Sequence, residues 1–193
     1  MYKIYYKEIE KVETLPNNVM EYLNEYKNQE RYNQSINAWK LLFEKLNSDF
    51  NIKLENCEIK KTSNGKPFID GIHFNISHSK NLVAIIISDA ECGIDIQHID
   101  SKTNHCLMAK KVLSSEELEI FNSISNENLK REYLAERFSV KEALYKADNS
   151  YFNYDKISVL NDANGKPYLK YINGHVSIAH DNDMVCAFVI LVV

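Results

Sequence analysis

The chain has 193 residues, 45% apolar and 26% charged, with a net charge of −4 at pH 7. That profile belongs to a globular domain or two, and it excludes collagen, coiled coil and a disordered chain. No basic excess marks a nucleic-acid footprint, so no nucleic-acid partner is expected. Four cysteines, Cys57, Cys92, Cys106 and Cys186, form no CxxC pair and read as reduced thiols. The start MYKIYYKEIEK lacks the apolar core of a signal peptide. The longest apolar runs, 82–87 and 184–193, are too short to cross a bilayer as helices. A cytoplasmic protein without a membrane partner is the expectation.

Taken in order, the chain first predicts a helix over about residues 18–31, carrying Val19, Tyr22, Leu23 and Tyr26. A second helix follows from Ile36, Trp39, Leu42, Phe43 and Leu46, spaced three and four apart. Asn64-Gly65-Lys66-Pro67 reads as a turn, because glycine accepts a positive φ and proline cannot continue a ladder. Strands are expected at 68–69, 72–77, 82–88 and 92–97, and a seam at 100–105. Ser114-Ser115-Glu116-Glu117 is a helix-capping pattern. A long helix spans 126–147 on Leu129, Tyr133, Leu134, Phe138 and Tyr145. Further strands are expected at 157–160, 168–172, 175–179 and 184–193.

The two stretches use the same words. Asn64-Gly65-Lys66-Pro67-Phe68 recurs as Asn164-Gly165-Lys166-Pro167-Tyr168, and Phe74-Asn75-Ile76-Ser77-His78 as Val176-Ser177-Ile178-Ala179-His180, each followed by an apolar run. Two copies are too few for a solenoid. The fold class expected is α+β, with two pseudo-symmetric halves, 1–102 and 103–193, related by an approximate two-fold. Each half would be a small antiparallel sheet packed with helices.

Two polar sets stand out. In Gly93-Ile94-Asp95-Ile96-Gln97, strand alternation puts Asp95 and Gln97 on one face, opposite Ile94 and Ile96. The set reads either as two oxygens in reach of one ion or as an ordinary surface Asp. On the long helix, Leu134, Phe138, Glu142 and Lys146 form one stripe. Glu142 and Lys146 are either an exposed ion pair or a carboxylate at a buried edge that needs a cation. Asp95 closes one half and Glu142 lies in the other, so a shared site would sit in the cleft between them. Few hard oxygen ligands suit Mg²⁺, which keeps waters and borrows phosphate oxygens. Ser77-His78-Ser79 at a strand end could bind phosphate or form a plain turn. His180 reads as structural, and the six histidines show no metal-ligand spacing.

The ordered set Gly65-Lys66-Pro67, Phe74-Asn75-Ile76-Ser77-His78-Ser79, Gly93-Ile94-Asp95-Ile96 and Phe138-x-x-Lys141-Glu142-Ala143-x-x-Lys146 resembles the 4′-phosphopantetheinyl transferase superfamily. The duplication is similar to its fused, surfactin-synthetase-activating type, a monomer with both halves in one chain. The resemblance implies transfer of phosphopantetheine from coenzyme A to a serine of an apo acyl or peptidyl carrier protein, releasing adenosine 3′,5′-bisphosphate. It implies Mg²⁺ held by Asp95 and Glu142, with Gln97 where fused enzymes often have a third acid. Lys146 would face the pyrophosphate, and Glu142 or a metal-bound water would take the serine proton. Ser77, His78 and Lys66 would bind coenzyme A, with Lys27 and Arg31 as candidates for its 3′-phosphate. Lys141 would contact phosphate or only position the helix. Competing readings are another Mg²⁺-dependent phosphoryl-transfer enzyme and a non-catalytic module that binds coenzyme A or a carrier protein.

Overall fold

The computed structural model describes residues 1–12, 14–62, 65–99 and 104–192. They form two units, Met1–Asp89 and Ala90–Val193. The first contains β1 (Tyr2–Glu8), α1 (Asn17–Leu23), α2 (Gln29–Phe50), a 3₁₀ turn at Leu54–Asn56, β2 (Lys60–Lys61), β3 (Pro67–Phe68), β4 (His73–Ser79) and β5 (Leu82–Ser88). The second contains β6 (Cys92–His98), α3 (His105–Val112), α4 (Ser115–Ser123), α5 (Glu127–Ala147), a 3₁₀ turn at Tyr154–Lys156, β7 (Val159–Asn161), β8 (Pro167–Leu169), β9 (Gly174–Asp181) and β10 (Met184–Leu191).

Each unit is a three-stranded antiparallel sheet, a two-stranded ribbon and a long helix, so the α+β class holds. The sheets run β1-β5-β4 and β6-β10-β9, with the last strand of each unit in the middle. The ribbons are β2-β3 and β7-β8. The turns of the two ribbons match bond for bond. Thr62 N–H donates to the Lys66 carbonyl at 2.9 Å, and Asp162 N–H to that of Lys166 at 2.9 Å. Gly65 and Gly165 both have φ of +80°, a conformation that favours glycine. Asn64 of the first turn lies outside the described residues.

The unit boundary differs from the expected seam at 102. β6 pairs along its whole length with β10, so it opens the second unit instead of closing the first. The pairing registers identify its counterpart as β1. Tyr5 faces Ile85, which faces Ile76, while Asp95 faces Ala187, which faces Ile178. Ile76 and Ile178 hold the same place in the repeated words, so Tyr5 stands where Asp95 stands. Residues 100–103 of the expected seam lie outside the described residues.

The helix expected over 18–31 is two helices. The first ends at Leu23, and Asn28 caps α2 by accepting from Arg31 N–H at 3.0 Å. On α2, Ile36, Trp39, Leu42 and Leu46 are buried against Phe74, Val83, Ile85 and Ile87 of the first sheet. On α5, Val140, Ala143 and Leu144 are buried against Val176, Ala187 and Val189 of the second. No helix among the described residues is long and apolar enough to cross a membrane.

Candidate active site

β6 brings its polar face under α5 because Gly93 has no side chain. A Cβ there would lie 1.8 Å from the Ala143 carbonyl oxygen, so helix backbone rests directly on the strand. Strand alternation then turns Asp95 and Gln97 toward the same helix, while Ile94 and Ile96 are buried on the opposite face. Asp95 is only 3% exposed. Its Oδ1 accepts from Lys146 Nζ at 2.7 Å and its Oδ2 from Gln97 Nε2 at 2.7 Å. Lys146 also donates to the Ile94 carbonyl at 3.0 Å.

Glu142, one turn before Lys146, is half-buried, and its Oε1 accepts from the Tyr154 hydroxyl at 2.7 Å. Burial, and then the bond to Glu142, holds the Tyr154 phenol well above its usual range, so it stays a donor. Two carboxylates and one ammonium leave a net charge of −1 in a partly dry place. That donor set of hard oxygens, with Gln97 as a neutral addition, fits a divalent cation such as Mg²⁺. Burial pushes the neighbouring Cys186 thiol up to about 11, with Asp95 adding to the effect, so it remains a neutral thiol.

The stripe Leu134, Phe138, Glu142, Lys146 lies along α5, with Leu134 buried, Phe138 only half-buried and Lys146 bonded to β6. Beside Gln97 a cavity of about 120 Å³ is walled by Met108, Leu134, Ala135 and Phe138 and flanked by Arg131. The two carboxylates occur together in the second unit. The division of Asp95 and Glu142 between halves is therefore corrected: β6 belongs with α5 because it needs β10 as its hydrogen-bonding partner.

For Lys141, of the two expected roles, the structure favours positioning the helix over contact with phosphate. Its side chain is fully buried and donates to Glu117, to the Val112 carbonyl at 2.8 Å and to the Tyr154 carbonyl at 3.0 Å. All three ammonium hydrogens are spent inside the protein, so it does not contact phosphate; it fixes the helix. Burial pushes its pKa below the lysine range, opposed by Glu117. Glu117 in turn accepts from Ser114 N–H at 2.7 Å and Val159 N–H at 2.9 Å. Sequence reasoning treated Glu117 only as part of a cap and missed Tyr154. The signal for Tyr154 was the repeat itself, since Leu54 occupies its place in the first 3₁₀ turn.

In the first unit Ser77 and His78 do not form one cluster. Phe74 and Ile76 of β4 pack toward α2, so alternation puts His78 on that face and Ser77, with Ser79, on the other. The strand runs through Ser79, which is why the expected strand-end cluster is absent. Lys66 is half-buried behind the Gly65 turn, and Lys27 and Arg31 are exposed. A cluster not visible from spacing joins Glu132 and Glu136 of α5 to His180 of β9, with ligand atoms within 4.8 Å of one another. Glu132 already holds His180 at 2.8 Å and Glu136 holds Arg137 at 3.1 Å.

The 4′-phosphopantetheinyl transferase superfamily profile matches residues 91–189, a stretch that begins just before β6 and ends within β10. The chain belongs to that superfamily. The holo-[acyl-carrier-protein] synthase of Petrotoga mobilis is 35% identical over 113 residues, which are 52% of this chain and 93% of that protein. That of Mycoplasma mobile is 37% identical over 99 residues, 51% of this chain and 85% of that one. Among solved structures, a holo-(acyl-carrier-protein) synthase from Bacillus anthracis, in complex with CoA (3′,5′-ADP), is 28% identical with a TM-score of 0.47, covering 53% of this chain and 95% of that one. These relatives are holo-[acyl-carrier-protein] synthases, not the surfactin-synthetase-activating kind; about half of this chain spans 85–93% of the curated ones, and the matched stretch leaves out the first unit. All four residues of the Asp95, Gln97, Glu142 and Lys146 set fall inside the matched stretch.

Proposed function

We propose that the protein transfers the 4′-phosphopantetheine arm of coenzyme A to a serine of an apo acyl or peptidyl carrier protein, releasing adenosine 3′,5′-bisphosphate. The observation that carries this is the pair of buried Asp95 with half-buried Lys146, with Glu142 one helical turn away, inside the stretch that matches the superfamily. Asp95, Glu142 and Gln97 would hold Mg²⁺, which supplies a clamp on the pyrophosphate oxygens when bound. Lys146 keeps its ammonium beside Asp95, where it can offset charge on the departing phosphate. Glu142 or a metal-bound water would take the serine proton. The apolar wall beside Gln97 suits the thin pantetheine arm.

Lys66, Ser77, His78, Lys27 and Arg31 of the first unit are the candidates for phosphate contact. The fused two-unit arrangement, a monomeric state and a cytoplasmic setting belong to the same reading.

The test is incubation with coenzyme A, Mg²⁺ and a panel of apo carrier proteins, with the products weighed. One carrier should gain the phosphopantetheine mass, and a chelator should prevent the gain. Asp95→Ala and Glu142→Ala should each abolish transfer at subsaturating Mg²⁺ while the fold persists. Lys66→Ala should raise the KM for coenzyme A and leave the Mg²⁺ half-saturation unchanged. Binding of coenzyme A with no carrier modified would favour a non-catalytic module instead.

A further inference from the structure

We infer that Tyr154 is a positioning residue for the Glu142 carboxylate, resting on the reading that Glu142 binds a divalent cation. Its hydroxyl donates to Glu142 Oε1 at 2.7 Å. Its ring is held edge-on by two residues of the same helix, Phe138 and Tyr145, with centroids 6.0 Å and 6.5 Å away. Its carbonyl accepts from Lys141 Nζ at 3.0 Å, and Lys141 is locked in the buried ion pair with Glu117. Tyr154 is thus tied at both ends to adjacent residues of α5. A glutamate side chain has several rotatable bonds, and holding one oxygen presents the other in a single direction. Hydrogen bonds to a ligating carboxylate typically govern metal affinity by about 10–100-fold.

The duplication provides an internal control. The first unit repeats the 3₁₀ turn at Leu54–Asn56, and there the place of Tyr154 is taken by Leu54, fully buried. That unit also has Tyr5 in the place of Asp95. A hydroxyl therefore stands at this turn in the unit that carries the carboxylate pair and is missing from the unit that lacks Asp95. Core packing alone is met by an aliphatic side chain at the same turn, so packing does not account for the phenol.

The experiment compares wild type, Tyr154→Phe, Glu142→Gln and the double variant. Mn²⁺ binding to each full chain is measured by electron paramagnetic resonance, and the Mg²⁺ dependence of transfer is measured alongside. Phenylalanine keeps the ring and the carbonyl bond to Lys141, and thermal melts verify that each variant is folded. Tyr154→Phe should raise the Mn²⁺ dissociation constant and the Mg²⁺ half-saturation about tenfold. At saturating Mg²⁺, the KM for coenzyme A should stay within about twofold of wild type. In the Glu142→Gln background, removing the hydroxyl should change nothing further. Mn²⁺ binding unchanged in Tyr154→Phe but weakened in Glu142→Gln would overturn the positioning role and leave the metal reading standing. Equal weakening with and without Glu142 would overturn it too, since the hydroxyl would then act through the fold at large. A wild type that takes no Mn²⁺ and modifies no carrier would bring down the metal reading and this inference together.

Discussion

Gln97 sits two residues beyond Asp95 on β6 and donates its amide N–H to Asp95 Oδ2 at 2.7 Å, so in this arrangement it braces a carboxylate. That both side chains share a face follows from the two-residue period of a strand and was readable from Gly93-Ile94-Asp95-Ile96-Gln97 alone. That this face meets α5 was not, because it depends on which helix packs there. Gln97→Glu exchanges a donor for a second anion beside Asp95. Two like charges about 4 Å apart at an effective dielectric near 20 repel by roughly 4 kcal/mol, and a divalent cation reverses the sign. The variant should melt lower than wild type in chelator, and Mg²⁺ should raise its melting temperature more. The Mg²⁺ half-saturation of transfer should fall several-fold. Melting curves and a half-saturation indistinguishable from wild type would remove Gln97 from the site.

At the level of elements, α5 is held against β6 by a bare backbone contact and against α4 by a buried ion pair. Neither was visible as such in the sequence. Lys141 read as one more charge in a helical repeat, because its partner Glu117 is 24 positions away and pairs with it only after α4 folds back. The cap at Ser114 was legible, since it is local: Ser114 and Glu117 satisfy each other's backbone N–H groups in a capping box. Glu117→Ala would remove that return bond, leave the fully buried Lys141 ammonium without its counter-charge and orphan the Val159 N–H. Breaking a buried pair from one side costs about 3–5 kcal/mol. A denaturant melt of Glu117→Ala should show a loss of that order; a loss under about 1 kcal/mol would mean that the pair is open to water. Gly93→Ala should be at least as damaging, because the three atoms nearest to its Cβ are all helix backbone.

Over the whole molecule, several exposed or half-exposed carboxylates are held below their usual range by cationic and hydroxyl partners. Glu10 is lowered to about 2 by hydrogen bonds from Lys40 and then Lys7. Asp49 is lowered by Ser48, Tyr5 and Lys3, and Glu116 by Lys170 and Ser158. A depressed folded pKa contributes stability that is present above the unfolded value, near 4–4.5, and is lost as pH falls through the folded one. Glu136, raised by burial, works in the opposite direction and is relieved by acid. The melting temperature should therefore hold above about pH 5 and drop between about pH 4.5 and 2, less steeply in high salt, which screens exposed pairs. A melting temperature that climbs on acidification would contradict this balance. The sequence by itself determined the duplication, the class of fold, the capped helices and the shared face of Asp95 and Gln97, because turn chemistry, periodicity and capping act over a few residues. Only the tertiary structure decided that β6 opens the second unit, that Lys141 is buried, that β4 runs on through Ser79 by pairing with β5, and that Tyr154 reaches Glu142. Each of those depends on which distant segment supplies a hydrogen bond or fills a space, and no local pattern carries that information.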